Sequence, residues 1–344
     1  MLSTSEAMAR AAARRGRRRG AVRALFLADC GPSIGLGHLR RALVLARALA
    51  RSGALCEVAT PSGSERDMIL ADGFTPSRWP AAAAELPTVD LVIFDSYRIG
   101  VETMRAWQAR AALRVAIDDL ADRPIAAELV LNQNLFADEL EYGDLPDRAL
   151  LLGPAYALID PAFHEANRPR SQQRALVSFG GSDDGSLALR AAAALRAAGF
   201  EGPIELALSP LHERSGALWK AAGDMRGVAL HEAAAMPALM ARASFYLGGA
   251  GTTVLEAAAA GLPMLPIAIA ANQQANIRAL RQRGVWALPE FDDHAVIDAA
   301  RRLIAAPEKA MLPDAVPPGG PARAAARLLA ELEEMSSIHR GERA

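Results

Sequence analysis

The chain has 344 residues, a length that fits two domains of ordinary size. Hydrophobic residues make up 51% of it, and no apolar run reaches membrane-spanning length, so a soluble protein without stable membrane insertion is expected. The formal net charge of −1 argues against nucleic acid as a partner. Cys30 and Cys56 have no CxxC spacing, which disfavours a disulfide framework or a structural zinc site and indicates a reducing, cytoplasmic location.

Residues 1–21 form an arginine-rich segment ahead of the first β-rich run. The segment lacks the apolar stretch that follows the charged start of a secretory signal, so export is not expected. We interpret it as a basic, disordered arm that is solvated. A specific contact with an anionic membrane or with nucleic acid is the alternative.

Beyond the arm, short apolar β-rich runs alternate with helical stretches rich in Ala, Leu and Arg, a pattern typical of parallel sheets covered on both faces. The predicted fold class is α/β, with Rossmann-like domains at 22–165 and 172–318 whose sheets face a central cleft. The polar stretch 161–173 is interpreted as the linker. A final helix at about 320–336, within the tail 319–344, is expected to pack back across the first domain. The predicted strands are 22–29, 55–60, 91–96, 114–119, 128–134 and 148–153, then 174–181, 204–210, 227–232, 245–251 and 263–269.

The loop after the first strand, CGPSIGLGHLRRALVLARAL, combines glycines with a helix start. Gly31, Gly35 and Gly37 permit close approaches that a Cβ would block. The spacing is not the GxGxxG of a dinucleotide site, and no acidic residue ends the second strand, so a nicotinamide cofactor is not expected. His38 begins the helix, where the dipole disfavours the imidazolium, and a neutral ring can accept a proton from water. The alternative is a polar first-turn residue without a catalytic role.

The segment FDSYRIG ends a buried strand and should direct Asp95, Ser96 and Tyr97 into the cleft. Three roles are open for Asp95. Its carboxylate could orient His38, contact sugar hydroxyls, or cap the helix that begins near Val101.

The next strand ends in the adjacent carboxylates Asp118 and Asp119, in the segment AIDDL. Paired carboxylates at a strand end are common in metal sites. The chain has no DxD motif of the kind that holds a metal-bound diphosphate, so we interpret the two as a solvated or capping pair and expect no metal.

Two glycine-rich loops follow strands of the second half. In VSFGGSDDGS, Gly180, Gly181 and Ser182 could present amides to a phosphate or sugar oxygen. The more specific loop is GGAGTT, which includes Gly249 and Gly251 and joins a strand to a helix without a Walker lysine. Such a loop would bind a diphosphate through backbone amides and threonine hydroxyls instead of through magnesium.

Further polar residues extend this second constellation. Glu256 lies four residues after Thr252, one helical turn inward, where its carboxylate could reach a ribose diol. The segment ANQQAN supplies the amides of Asn272 and Gln273 at another helix start. The alternative is that the glycines serve sheet packing and that Glu256 is a surface residue.

The series GGxGT, E, GLP and NQ in the second half resembles the donor half of GT-B enzymes, in particular the transferase that adds N-acetylglucosamine to lipid-linked muramyl peptide. The first half, through IGLGHLRRALVLA, FDSYRI, AIDDLADR, ELVLNQN and GPAYALIDPAF, followed by VSFGGSDD, is similar to the UDP-sugar hydrolases of pseudaminic acid biosynthesis. The similarity covers roughly 22–290.

The resemblance implies a GT-B fold and a small-molecule UDP-sugar as the partner, with neither metal nor cofactor. It implies that His38 delivers water to C1 and that Asp95 and Tyr97 line the sugar site. The residues that it assigns to UDP are Gly249, Gly251, Thr252 and Glu256, and further expected substrate contacts are Gly35, Gly37, Arg41, Gly180, Gly181, Ser182, Asn272 and Gln273.

The activity expected from the resemblance is hydrolysis of UDP-2,4-diacetamido-2,4,6-trideoxy-β-L-altropyranose, with inversion at C1, for a sialic-acid-like sugar of flagella and surface glycans. One alternative is an inverting GT-B glycosyltransferase with an acceptor hydroxyl in place of water. A noncatalytic nucleotide-sugar-binding protein is another, and a UDP-sugar 2-epimerase shares the architecture. The sequence leaves the oligomeric state open.

Overall fold

The structure is a computed structural model, and it describes residues 21–31, 34–63, 65–80, 85–166, 173–209, 216–232, 235–312 and 315–341. Residues 1–20 of the predicted arm and 167–172 of the predicted linker lie outside these ranges. Within them, no helix is both long enough and apolar enough to cross a membrane.

The first sheet has seven parallel strands, in the order β3-β2-β1-β4-β5-β6-β7. The central strands are rich in buried apolar residues, as expected for strands with a helix layer on each face. Their bounds are β1 Arg23–Ala28, β2 Leu55–Ala59, β3 Thr75–Ser77, β4 Val89–Asp95, β5 Ala111–Ile117, β6 Leu129–Asn132 and β7 Leu150–Leu152.

The second sheet has five parallel strands, in the order β10-β9-β8-β11-β12. The predicted α/β class with two parallel sheets is confirmed. The bounds are β8 Ala175–Ser178, β9 Ile204–Leu208, β10 Val228–Glu232, β11 Phe245–Gly249 and β12 Met264–Ile267.

The predicted strands coincide with observed ones but run a few residues too far at several carboxyl ends. The prediction 174–181, for example, corresponds to Ala175–Ser178, because the glycines that follow turn away from the sheet. The short strand Thr75–Ser77 was not predicted. It contains Pro76 and pairs only along one side, at the edge of the sheet, where a proline is tolerated.

Helices connect the strands and cover both sheets. The helix after β1 begins at Gly37, one residue before the predicted start. The bounds are α1 Gly37–Arg51, α2 Arg66–Ala71, α3 Val101–Ala106, α4 Ala162–Glu165, α5 Ser186–Ala197, α6 Gly216–Gly223, α7 Met236–Arg242, α8 Thr253–Ala259, α9 Gln274–Gln282, α10 Asp293–Ala305 and α11 Gly320–Gly341.

The last helix, α11, packs against the first sheet although it follows the second in sequence. Leu328 and Leu332 lie in the same apolar core as Leu45 of α1 and Val115 of β5. At the start of α11, the Arg323 Nε donates to the carbonyl of Ala155 at 2.9 Å. The helix therefore packs on the first domain.

Leu328→Ala is expected to lower the free energy of unfolding by about 3 kcal/mol, because Leu328 is fully buried and the truncation leaves a cavity between α11 and the first sheet. Urea unfolding followed by circular dichroism measures the change. The control is Leu329→Ala, at a partly buried position of the same helix, for which a smaller loss is expected. Equal losses for the two variants would contradict this packing.

Candidate active site

A cavity of about 530 Å³ lies at the carboxyl ends of both sheets and is lined by residues of both. It brings together the predicted site residues except Asp95 and Ser96, which are buried and do not line it, and Ser182, whose side chain is outside the described part of the structure. The predicted residues that line it are Gly35, Gly37, His38, Arg41, Tyr97, Gly180, Gly181, Gly249, Gly251, Thr252, Glu256, Asn272 and Gln273.

The two glycine loops touch across the cleft, backbone against backbone. A Cβ on Gly181 would lie 2.3 Å from the Cα of Gly35 and 2.9 Å from the nitrogen of Leu36, which no real side chain tolerates. Gly35 also has a φ of +84°, a conformation that favours glycine. Close to this contact, a Cβ on Gly37 would lie 3.8 Å from the Thr252 hydroxyl. These glycines thus allow the two halves of the cleft to meet.

His38 lies in the first turn of α1, with 7% of its surface exposed. Its Nδ1 is 2.5 Å from Asp95 Oδ1. Because an ionised carboxylate can only accept, Nδ1 carries the hydrogen and Nε2 keeps a free lone pair. Within the described residues, Nε2 has no partner, and it is the nitrogen left to the cavity. The Tyr97 ring packs edge-on against the imidazole, at 4.8 Å between centroids.

Asp95 ends β4 and is enclosed by His38 and Arg41, with 1% of its surface exposed. Burial alone would raise the pKa of Asp95, but the Arg41 guanidinium and His38 hold it below its usual range. The expectation that Asp95 lines the sugar site is therefore corrected. The capping alternative is also wrong, because Gly100 is the N-cap of α3 and no side chain caps that helix. Of the three roles considered for Asp95, the geometry fits orientation of His38.

Arg41 joins two carboxylates and is 4% exposed. It donates to Asp95 from Nε at 2.7 Å and from Nη2 at 2.6 Å, and to Asp119 from Nη1 at 2.8 Å and from Nη2 at 2.9 Å. Burial opposes the charge, but Asp119 and Asp95 raise the pKa of Arg41 well above its ordinary value. Arg41 also lines the cavity, where both carboxylates hold its guanidinium, and its contact with a substrate stays a prediction.

Asp119 is a site residue that the sequence interpretation missed. Besides Arg41, it accepts from the Tyr97 hydroxyl at 2.9 Å and from Asn134 Nδ2 at 3.0 Å. Despite burial, Arg41 and Tyr97 hold the pKa of Asp119 well below its usual range. Asp118, in contrast, fits the capping interpretation, because it accepts from the Ala121 amide at 2.7 Å. One signal could have revealed this role. Because β4 and β5 are neighbouring parallel strands, Asp95 and Asp119 lie close together at the same edge of the sheet.

Tyr97 links the first half of the cleft to the second. Burial and Asp119 raise the pKa of Tyr97, so its hydroxyl keeps the proton that it donates. The Asn272 Nδ2 donates to this hydroxyl at 3.4 Å, from the other side of the cleft. Tyr97 and Asn272 therefore contact each other across the cleft, and both line the cavity.

The second half contributes the loop between β11 and α8. Asn276 Nδ2 donates to the carbonyl of Ala250 at 3.0 Å, and the Tyr246 hydroxyl lies 3.1 Å from the carbonyl of Gly249, so buried side chains fix the loop. Glu256 is 9% exposed, which excludes the surface alternative. Burial raises the pKa of Glu256, against the opposing effect of the Arg40 charge.

In the described part of the chain, no cluster of three or more His, Cys, Asp or Glu side chains could hold a metal ion. Cys30 and Cys56 are buried free thiols. Burial is the main cause that raises the pKa of each thiol to about 12. Both side chains therefore behave as neutral parts of the core.

No model of a known protein family matches the sequence. The sequence is similar to the UDP-2,4-diacetamido-2,4,6-trideoxy-beta-L-altropyranose hydrolase of Campylobacter jejuni, with 26% identity over 184 residues. The match covers 51% of this chain and 66% of that hydrolase, just under two thirds of its length.

Solved structures define the fold. The calicheamicin glycosyltransferase CalG4 has a TM-score of 0.60 at 17% identity, covering 92% of this chain and 99% of its own. The glycosyltransferase SnogD from Streptomyces nogalater has a TM-score of 0.54 at 18% identity, covering 90% and 99%. Arabidopsis thaliana UGT89C1 complexed with UDP-L-rhamnose has a TM-score of 0.58 at 14% identity, covering 92% and 99%. The chain has the GT-B fold.

Asp119→Asn is expected to lower the free energy of unfolding by about 3 kcal/mol at pH 7, because the variant loses one carboxylate of a buried ion cluster. The folded state lowers the pKa of Asp119, so its contribution is complete above the unfolded pKa of about 4 and is lost as pH falls further. The difference between wild type and variant should therefore shrink below about pH 4 in urea unfolding.

The matched control for this pH series is Asp122→Asn, at an exposed position three residues along the chain. This variant should follow the wild type at every pH. A difference for Asp119→Asn that stays constant from pH 7 to pH 3 would show that ionisation of Asp119 does not contribute to stability.

Proposed function

We propose that this protein is an enzyme that hydrolyses a UDP-sugar at the anomeric carbon and releases UDP. The observation that carries the proposal is the imidazole of His38, which is hydrogen-bonded at Nδ1 to the buried Asp95 and lines a cavity between the two domains of a GT-B fold. The similarity to a UDP-sugar hydrolase supports the choice of substrate class.

The second half of the cleft is the proposed UDP site. The loop with Gly249, Gly251 and Thr252 lines the cavity and offers amides and hydroxyls of the kind that bind a diphosphate. Glu256, one turn further along α8, lines the same wall and is the proposed partner of the ribose hydroxyls. Arabidopsis thaliana UGT89C1, which has the same fold, is complexed with UDP-L-rhamnose.

In the proposed reaction, a water oxygen attacks C1 while its proton passes to His38 Nε2. The bond between C1 and the diphosphate oxygen breaks, and its electron pair leaves with UDP. Attack opposite the leaving group inverts the configuration at C1. The ionised Asp95 stabilises the imidazolium that forms, because its carboxylate is already hydrogen-bonded to Nδ1.

The proposed sugar is a diacetamido-trideoxyhexose, in the biosynthesis of pseudaminic acid or a related nonulosonic acid. The similar Campylobacter hydrolase supports this choice. Polar side chains that suit acetamido groups line the cavity. They are Tyr97, Asn134, Asn272 and Gln273.

The second candidate is an inverting glycosyltransferase, since solved structures of the same fold are glycosyltransferases. The pair of His38 and Asp95 would deprotonate an acceptor hydroxyl by the same chemistry as water.

An anomeric-proton NMR time course separates the two candidates. The wild-type protein is incubated with UDP-2,4-diacetamido-2,4,6-trideoxy-β-L-altropyranose and no acceptor alcohol. Free sugar of inverted anomeric configuration and UDP should appear together. A stable substrate that turns over only after an acceptor is added would overturn hydrolysis in favour of transfer.

His38→Ala is expected to lose about 10²- to 10⁴-fold in turnover, the contribution of a positioned general base, and to keep its affinity for UDP. Turnover is followed by UDP release and affinity by calorimetry. The control His294→Ala removes an exposed histidine of α10 and should leave both unchanged. UDP release at the wild-type rate by His38→Ala would refute the role of His38.

A further inference from the structure

Three arginines of α1 line the cavity, and they differ in their partners. Arg41 is occupied by Asp95 and Asp119. Arg47 pairs with Asp72 at 2.8 Å and with Asp160 at 3.0 Å. Arg40 has no ion pair with any described residue. It is the one arginine on this wall whose charge is available to a ligand.

The position of Arg40 relative to the second half follows from two contacts. Gly37 faces the Thr252 hydroxyl across the cleft, where a Cβ on Gly37 would be 3.8 Å away. Arg40 lies three residues after Gly37 on α1, and Glu256 lies four residues after Thr252 on α8, so each is one helical turn beyond the contact. Burial raises the pKa of Glu256 and the Arg40 charge opposes this, in keeping with the positions of the two residues one turn beyond the contact.

In the second half, the proposed diphosphate loop offers a ligand mainly neutral hydrogen-bond donors. Glu256 is the nearby ionisable side chain, and it is acidic. A nucleoside diphosphate gains negative charge as it leaves, and a hydrogen-bonded cation stabilises that charge more strongly than neutral amides do.

We propose that Arg40 is a catalytic residue that binds the diphosphate from the first domain, opposite the amide loop of the second. This inference rests on the proposed UDP-sugar chemistry. As the C1–oxygen bond breaks, its electron pair moves onto the diphosphate oxygen, and the Arg40 guanidinium pairs with the charge that develops. Because loop and guanidinium belong to different domains, the diphosphate also holds the cleft closed.

The test compares UDP with uridine, which lacks the diphosphate, by calorimetry on the full chain. Arg40→Met should weaken UDP binding about 10- to 100-fold, the range for a charge-assisted hydrogen bond, and leave uridine binding unchanged. Arg40→Lys, which keeps the charge, should recover part of the loss. The control Arg51→Met changes an exposed arginine at the end of α1, outside the cavity, and should bind both ligands like the wild type.

The catalytic contribution is measured as kcat at saturating UDP-sugar, and Arg40→Met should lower kcat about 10- to 100-fold, the range for a charge-assisted hydrogen bond. UDP binding and kcat of Arg40→Met at wild-type values would overturn the role of Arg40 while leaving the hydrolase proposal in place. Equal weakening of UDP and uridine would also overturn it, since that pattern marks a structural defect. A wild-type protein that binds no UDP would refute the proposed function and this inference together.

Discussion

The buried ion cluster around Arg41 is the interaction on which the first half of the site depends. Two carboxylates at neighbouring strand ends would repel one another, and one would take up a proton, if no cation lay between them. A buried ion pair is favourable only when its geometry is good, and here three guanidinium nitrogens donate to Asp95 and Asp119 at 2.6–2.9 Å. Asp95 therefore stays ionised and can hold the Nδ1 hydrogen of His38, while Asp119 holds Tyr97.

The charges of this cluster also explain why the two halves of the cleft differ in chemistry. With a neutral His38, one guanidinium faces two carboxylates, which leaves one negative charge in excess. In the proposed reaction, the imidazolium that forms on His38 would lie beside that excess charge. The second half has amides, hydroxyls and Glu256, whose pKa is raised by burial. Proton transfer thus fits the first half, and ligand binding the second.

How much of this structure the sequence predicts depends on whether a feature is set by neighbouring residues or by residues far apart in the chain. Strands and the start of α1 are encoded in local apolar runs and glycines, which is why the two sheets were predictable. Strand Thr75–Ser77 was missed because it is short and defined only by its pairing with β2. The interpretation of Asp119 failed because its partner Arg41 lies 78 residues away, and no local pattern reveals such a contact. The contact between the backbones of Gly35 and Gly181 also joins residues that are far apart in the sequence.

In the proposed reaction, the choice of nucleophile depends on access to Nε2 of His38. The imidazole is only 7% exposed, with the Tyr97 ring edge-on beside it. Tyr97 in turn meets Asn272 across the cleft, close to where the backbones of Gly35 and Gly181 touch. A water molecule is small enough to reach the exposed part of the imidazole while these contacts are present. In the proposed reaction, water or an acceptor hydroxyl would have to reach Nε2 through the cavity that Tyr97 and Asn272 also line, so the side chains around His38, and not the base itself, would select the nucleophile.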